Sequence, residues 1–240
     1  MIPSKGRSNT VGNTVDLLGK NDTYVYVHED EYDDYIKVLN KDQLRTHNVF
    51  GIGAIRKFMY DKNKNQNYVF QLDDDVTAFE YKFTDGKIDI IVDRGHIRDI
   101  VDNMYQVAYD IGTPLFCPSA GVGPLLYTQL NLCYFSGFVN IVGAGIIPSL
   151  MGDINFDPRF TVMHEDHDLT LQVKYHKRYV FIDARYSVRS PSGNLNPAGL
   201  STIRNKPEHD KCRKLLLKKF GSVVQPSPKK ENRIILKTPF

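Results

Sequence analysis

The chain has 240 residues, 41% of them hydrophobic and 25% charged, with 31 Lys/Arg against 28 Asp/Glu for a net charge of +3. That balance is ordinary for a soluble globular protein long enough to bury a sizeable core. It leaves no room for a membrane helix: the longest apolar candidate, "NIVGAGIIPSL" (140–150), is short and broken by Gly and Pro. The opening "MIPSKGRSNT" lacks the apolar core of a signal peptide, and Cys117, Cys133 and Cys212 match no zinc spacing. Together these suit a reducing cytoplasm.

In chain order, "IPSKGR" (2–7) reads as a first strand ending in a turn, and "TYVYVH" (23–28) as the next strand. "EDEYDDYIKVLN" follows with Tyr32, Tyr35, Ile36 and Leu39 at helical spacing. "NVFGIGAIRKFMYDK" predicts a turn at Gly51 and Gly53 and then a helix, and "NYVFQL" (67–72) a strand. "HIRDIVDNMYQVAYDIG" sets Ile97, Ile100, Val101, Met104, Val107 and Ala108 on one face of an amphipathic helix. A strand-rich middle ("LNLCYF", "FVNIV") leads to a helix near 166–176 and strands "RYVFID" and "YSV". A loop rich in Ser, Gly, Asn and Pro (190–201) precedes a basic helix near 207–220, which Gly221 stops. Strand alternating with helix from the first residue predicts one α/β domain over 1–222, Rossmann-like, with a mainly parallel central sheet flanked by helices. Residues 223–240 read as a basic tail.

Charge is unevenly placed. Residues 201–240 carry eleven Lys/Arg against three acids, a net +8, which leaves −5 for residues 1–200. The stretch is either a solvated helix with a floppy tail or a surface for a polyanion, most plausibly nucleic acid.

Three stretches carry chemistry. Asp73-Asp74-Asp75 follow the apolar run 68–72, where adjacent carboxylates repel one another unless water or a cation sits among them. In open α/β sheets this position, beyond the carboxyl end of a strand, is where ligands bind. Hard oxygen ligands suit Mg²⁺ or Mn²⁺, with water and substrate phosphates completing the shell. "IPSKGR" offers turn N–H groups and Arg7, and "FGIGAIRKF" (50–58) places glycines before a helix carrying Arg56; both suit phosphate. "VGAG" (142–145) reads as a further glycine turn. In "FTVMHEDHDLTLQV" (160–173), two acids and two histidines at a helix start exceed what capping needs, and a carboxylate there suits a general base. No Cys or further His lies at metal spacing, so zinc is not expected.

These motifs, in this order, resemble those of nucleotide-sugar glycosyltransferases of the GT-A fold. Asp73-Asp74-Asp75 looks like the Asp-x-Asp motif, Gly143-Ala144-Gly145 like the glycine loop, and His164-Glu165-Asp166 like the x-Glu-Asp motif. The set is most similar to the TET/JBP-associated glycosyltransferases, which include the base J glucosyltransferase and bacteriophage enzymes that glycosylate hydroxymethylpyrimidines in DNA. The resemblance implies a nucleotide-sugar donor (a UDP-sugar) and a DNA acceptor. It implies a Mn²⁺ or Mg²⁺ ion held by Asp75, with Asp73 or Asp74 assisting. Pro3, Ser4, Gly6, Arg7, His28, Glu29, Gly51, Gly53, Arg56 and the 143–145 glycines would form the donor site. Asp166 would be the base, with Glu165 and, less favoured because it points about 200° away on a helix, Asp168 as the fallbacks. The chain departs from the family in one respect: a late metal-ligating His is common there, and neither His176 nor His209 lies in such a motif. One displacement inverts the anomeric carbon, as the relatives imply, and two would retain it. A non-DNA acceptor, a carboxylate-metal nuclease or nucleotidyltransferase, and a non-catalytic nucleic-acid-binding module are the alternatives.

Overall fold

In a computed structural model, which describes residues 1–19, 22–82, 88–119, 133–134, 138–191, 205–226 and 234–236, the first strands set the architecture. β1 (Ile2–Ser4), β2 (Val25–His28) and β3 (Leu44–His47) form a three-stranded parallel sheet in the order β1-β2-β3. α1 (Ser8–Leu18) crosses from β1 to β2, and a 3₁₀ turn (Glu29–Glu31) with the short α2 (Tyr32–Tyr35) follows β2. α1 and β3 went unpredicted because "SNTVGNTVDLL" buries only Val11, Thr14 and Val15, and "LRTH" exposes Arg45 and Thr46.

The chain continues through α3 (Ile52–Asn63), β4 (Val69–Leu72), β5 (Ala78–Lys82), β6 (Ile88–Ile91), α4 (Arg94–Asp110), β7 (Leu115–Ser119) and β8 (Cys133–Tyr134). It then forms β9 (Gly143–Ile146), α5 (Pro148–Met151), α6 (Glu165–Lys177), β10 (Phe181–Arg189), α7 (Lys206–Phe220), β11 (Val224–Pro226) and β12 (Ile234–Leu236). The larger sheet runs β4-β9-β7-β10-β5-β6, with β8 beside β10. Only β7 and β10 pair in parallel; the other pairs are antiparallel. The central sheet is therefore mixed, not mainly parallel as the alternation of elements implied. A connection as short as that between β5 and β6 permits only antiparallel pairing, and β9 reverses direction between two strands. The two sheets meet at Met1: its nitrogen donates to the Phe70 carbonyl (2.7 Å) and its carbonyl accepts from Leu72 N (3.0 Å), the pattern of a parallel bridge.

Strand alternation sorts the core into two layers. Phe116 and Phe181 point with Phe70 and Leu72 toward α1 and α4, where Ile97, Ile100, Val101 and Met104 are buried. Leu115, Cys117 and Ile182 point the other way, toward Leu169 and Val173 of α6. α6 is buried nearly all round its central turns (168–171), which is why it lacks a clean polar face.

Three further expectations change. "FVNIV" is not a strand; the strand starts at Gly143, so the expected "VGAG" turn is the body of β9. Gly145 is required there because an added Cβ would sit 1.9 Å from Phe116 Cζ. "RYVFID" and "YSV" are one strand, β10, whose register shifts between Asp183 and Ser187. Finally, β11 and β12 pair antiparallel within the expected tail, and Val224 is buried with Phe160, Cys212 and Leu216. Of the 190–201 loop, residues 192–201 lie outside the described residues. No helix among the described residues is long and apolar enough to cross a membrane.

Candidate functional site

Two arginines organise the carboxylates. Arg56, on α3, is 3% exposed and donates to Gln71 Oε1 (3.1 Å), Asp73 Oδ1 (2.6 Å) and Glu165 Oε1 (3.2 Å). It therefore joins α3, the end of β4 and the start of α6, three segments far apart in sequence. Arg7, just after β1, donates through Nη1 to Asp74 Oδ1 (2.5 Å) and Asp75 Oδ2 (2.9 Å). Ser4 Oγ donates to the other Asp74 oxygen (2.7 Å), and Ser190 Oγ to Asp75 Oδ1 (2.9 Å). Thr14 Oγ1 bonds the Val76 carbonyl, anchoring the aspartate turn to α1 (2.9 Å).

The two acidic motifs converge. Asp73 feels the charges of Asp75 and Asp166, and Glu165 those of Asp166 and Asp73. Burial raises the Asp73 carboxyl, and the Arg56 guanidinium opposes that rise. Asp74 is pushed up to about 6 by burial, against the pull of Ser4 and Arg7. Glu165 is raised by burial and by Asp166, with Arg56 opposing. Burial pushes Asp166 up too, but the hydrogen bond and charge of His167 outweigh it and hold the carboxyl below its ordinary value. Asp73, Asp74, Asp75, Glu165 and Asp166 thus face Arg7 and Arg56, three more negative than positive groups when all are ionised.

His164 caps α6 in the left-handed region (φ 70°), is buried, and is lowered to about 4 by burial and by His167. Its Nδ1 has no hydrogen-bond partner among the described residues. His209 of α7 is close enough to act on His164 electrostatically, and Thr161 Oγ1 donates to Glu208 (2.9 Å), so the first turn of α7 packs beside the start of α6. At the far end of α7, Lys219 bonds Asp168 (2.5 Å) and Asp157 (3.2 Å).

Several expected phosphate groups are otherwise engaged. Gly51 (φ 91°) and Gly53 let α3 press against the 157–161 loop; a Cβ on Gly53 would lie 2.5 Å from the Asp157 carbonyl. The first N–H groups of α3, at Ile52 and Gly53, bond the carbonyls of Thr161 and Phe160 (both 2.9 Å). That helix start is a packing joint, not an open anion site. Gly6 N donates to Glu31 (2.8 Å) and Arg7 N to the Tyr35 hydroxyl (3.0 Å), so those turn amides are also occupied. Pro3 and Ser4 are buried in β1, while His28 caps the next turn and Glu29 is exposed. Gly143, Ala144 and Gly145 are buried in β9 beside β4, with Gln71 opposite Ala144 and Leu72 opposite Gly143. Glu165 lies under Arg56, and Asp166 is the more open of the pair, its side chain 19% exposed against 9%.

The sequence left Tyr35, Glu31, Gln71 and Ser190 without roles. Tyr35 had been counted as an apolar helix position, yet its hydroxyl bonds Ser4 (2.7 Å) and burial pushes it up to about 12. Ser190 carried no signal beyond its loop composition. Among the described residues, no group of three or more His, Cys, Asp or Glu is arranged to hold a metal ion. A two-carboxylate site of the kind Mg²⁺ uses with substrate phosphates remains compatible with the residues present. Asp73 Oδ1 is held by Arg56, and the two Asp75 oxygens by Arg7 and Ser190, so an ion at Asp75 would share those oxygens with them. A cavity of about 450 Å³ opens at the other end of β4, between Tyr24, Asn63, Tyr68 and Arg98.

No protein-family model matches the chain, and no curated protein matches it. Among solved structures it is similar to A197 from STIV, at 12% identity and a TM-score of 0.46, over 100% of this chain and 93% of that one. A likeness at that level carries no argument about function.

Proposed function

We propose that the chain is a metal-dependent glycosyltransferase that moves a sugar from a nucleotide sugar to the hydroxyl of a 5-hydroxymethylpyrimidine in DNA, with inversion. The observation that carries the reading is the convergence of Asp73, Glu165 and Asp166 around Arg56, with Asp75 within electrostatic reach of Asp73. It places the two GT-A-like motifs in one acidic cluster beyond the end of β4. With all its acids ionised the cluster carries three excess negative charges and repels a dianionic diphosphate unless a cation accompanies it. Asp75 and Asp73 would hold that ion, whose chemistry is to neutralise charge on the departing nucleoside diphosphate. Arg7, 13% exposed against 3% for Arg56, is the guanidinium available to the diphosphate; Arg56 is locked beneath the site. Glu165 fixes Arg56, and Asp166 faces the acceptor side.

The acceptor reading rests on α7. Lys211, Lys214 and Lys218 recur at helical spacing as an exposed stripe, on the helix whose first turn abuts the start of α6. Lys211 reaches Glu208 only at 3.7 Å. Two other basic residues are engaged elsewhere: Arg213 pairs with Asp210 (3.0 Å), and Lys219 with Asp168 and Asp157. Among the described residues of α7, the proposed nucleic-acid surface includes this stripe of three lysines. In duplex DNA the target base would leave the stack, at a cost of a few kcal/mol.

Nucleoside mass spectrometry after incubation with hydroxymethylated DNA, Mn²⁺ and a panel of nucleotide sugars tests the reading. A new nucleoside heavier by one sugar is expected, and none without metal. Strand cleavage would favour the nuclease alternative. Metal-independent DNA binding with no donor affinity would favour a binding module.

A further inference from the structure

The start of α6 holds one titratable group that the reading above leaves idle. His167 Nδ1 lies 2.8 Å from Asp166 Oδ1, and the same oxygen accepts the His167 backbone N–H at 2.7 Å. The imidazole is clamped on two further sides. Phe138 lies over it with ring centroids 4.0 Å apart, and His164 meets it edge-on at 5.0 Å and 88°. The positive φ of His164 brings that ring into place, and non-glycine residues held there concentrate at functional sites. The side chain of His167 is still 23% exposed, and Nε2 has no hydrogen-bond partner among the described residues. A carboxylate on one imidazole nitrogen, a fixed ring plane and a second nitrogen unpartnered among the described residues are the parts of an oriented proton acceptor.

We propose that His167 is the catalytic base of the transfer and that Asp166 is its positioning carboxylate; the assignment rests on the glycosyltransferase reading. Asp166 keeps the neutral imidazole protonated at Nδ1, which leaves the Nε2 lone pair to face the acceptor. The acceptor O–H gives its proton to Nε2 as its oxygen bonds the anomeric carbon. The bond from that carbon to the diphosphate oxygen breaks, and the diphosphate leaves with the electron pair. The imidazolium is stabilised by Asp166 and then releases its proton to water. Asp166 Oδ1 accepts two hydrogen bonds from His167, and the carboxylate sits within the electrostatic reach of Asp73, which suits Asp166 to orient the imidazole. An inverting base works on the face of the sugar opposite the diphosphate, away from the Asp73–Asp75 side.

The test pairs activity with a spectroscopic readout that needs none. His167→Ala and His167→Gln are expected to lose about 10²- to 10⁴-fold in single-turnover rate with donor affinity unchanged. Added imidazole is expected to restore part of the rate to His167→Ala, which a packing role alone does not predict. In the unsubstituted protein, ¹⁵N spectra of the neutral imidazole should show the proton on Nδ1, and Asp166→Asn should abolish that preference. Near-normal transfer by His167→Gln, or rescue of Asp166→Ala by azide with no imidazole rescue of His167→Ala, overturns the assignment in favour of Asp166. A proton found on Nε2 in the unsubstituted protein overturns the pairing itself, whatever the activity. If that protein transfers no sugar to any acceptor while the Nδ1 tautomer is found, the glycosyltransferase reading fails and the base role falls with it, but the pairing stands.

Discussion

Arg56 and Arg7 each hold two carboxylates of the same cluster, yet they do different work. Arg56 is sealed between α3, β4 and α6, with three acceptors at the end of β4 and the start of α6. A buried guanidinium of this kind is a registration device: it is stable only while every partner is present. Arg7 is more exposed than Arg56, 13% against 3%, and shares its two aspartates with Ser4 and Ser190. A residue type suited to phosphate therefore marks a ligand site only where it retains access to one.

The largest expected effect breaks the buried node. Arg56→Met leaves Asp73 and Glu165 without their cation and should cost about 3–5 kcal/mol in urea unfolding, the range for removing one partner of a buried pair. A loss below about 1 kcal/mol would erase the contrast with Arg7. Next, Asp75→Asn acts on the rim: stability should be close to unchanged, while Mn²⁺-dependent donor binding, read by calorimetry, should drop by at least tenfold. Arg7→Gln should lower donor affinity in the same way with a stability loss of about 1 kcal/mol.

A smaller effect is seen in pH. Asp74 has an ordinary value of 3.8 and is pushed to about 6 in the fold. A raised carboxyl binds its proton more tightly when folded, so the stability it contributes is full below 3.8 and is lost as pH rises through about 6. Arg7→Gln removes a cation that favours the charged form, and should steepen that fall between pH 4 and 7 in thermal melts. Asp157, lowered to about 2 by Arg159 and Lys219 against the effect of burial, acts in the opposite sense, but its contribution disappears only as pH falls below that window. The smallest effect is at α7: Lys214→Gln and Lys218→Gln should each reduce the slope of log K against log salt for duplex DNA by about 0.9. Lys219→Gln should instead act on stability, because its partner Asp168 is fully buried.

Much of the fold was legible because its signals are local. The amphipathic face of α4, the apolar run of β4 and the Gly221 stop depend on neighbours a few residues away, and they lie where the sequence put them, except that Val107, expected on the apolar face of α4, is 42% exposed. Strand direction was not legible. Whether β9 runs with or against β4 depends on chain returning from seventy residues away, and nothing in "VGAG" encodes that path.

For the site, the sequence by itself determined which groups carry charge: three consecutive aspartates after a buried strand, and a cluster of acids and histidines at a helix start. That adjacency is covalent, so repulsion among the carboxylates followed from residue order alone. Only the tertiary structure decided which cations answer them, because Arg7 and Arg56 reach Asp73, Asp74 and Asp75 across 17 to 68 residues of chain. It also decided which glycines are packing joints. Gly51, Gly53 and Gly145 look like ligand loops in sequence and are close approaches of backbone or ring in space. The physical reason is common to both: partner choice and steric contact depend on distance through space, which chain order does not specify.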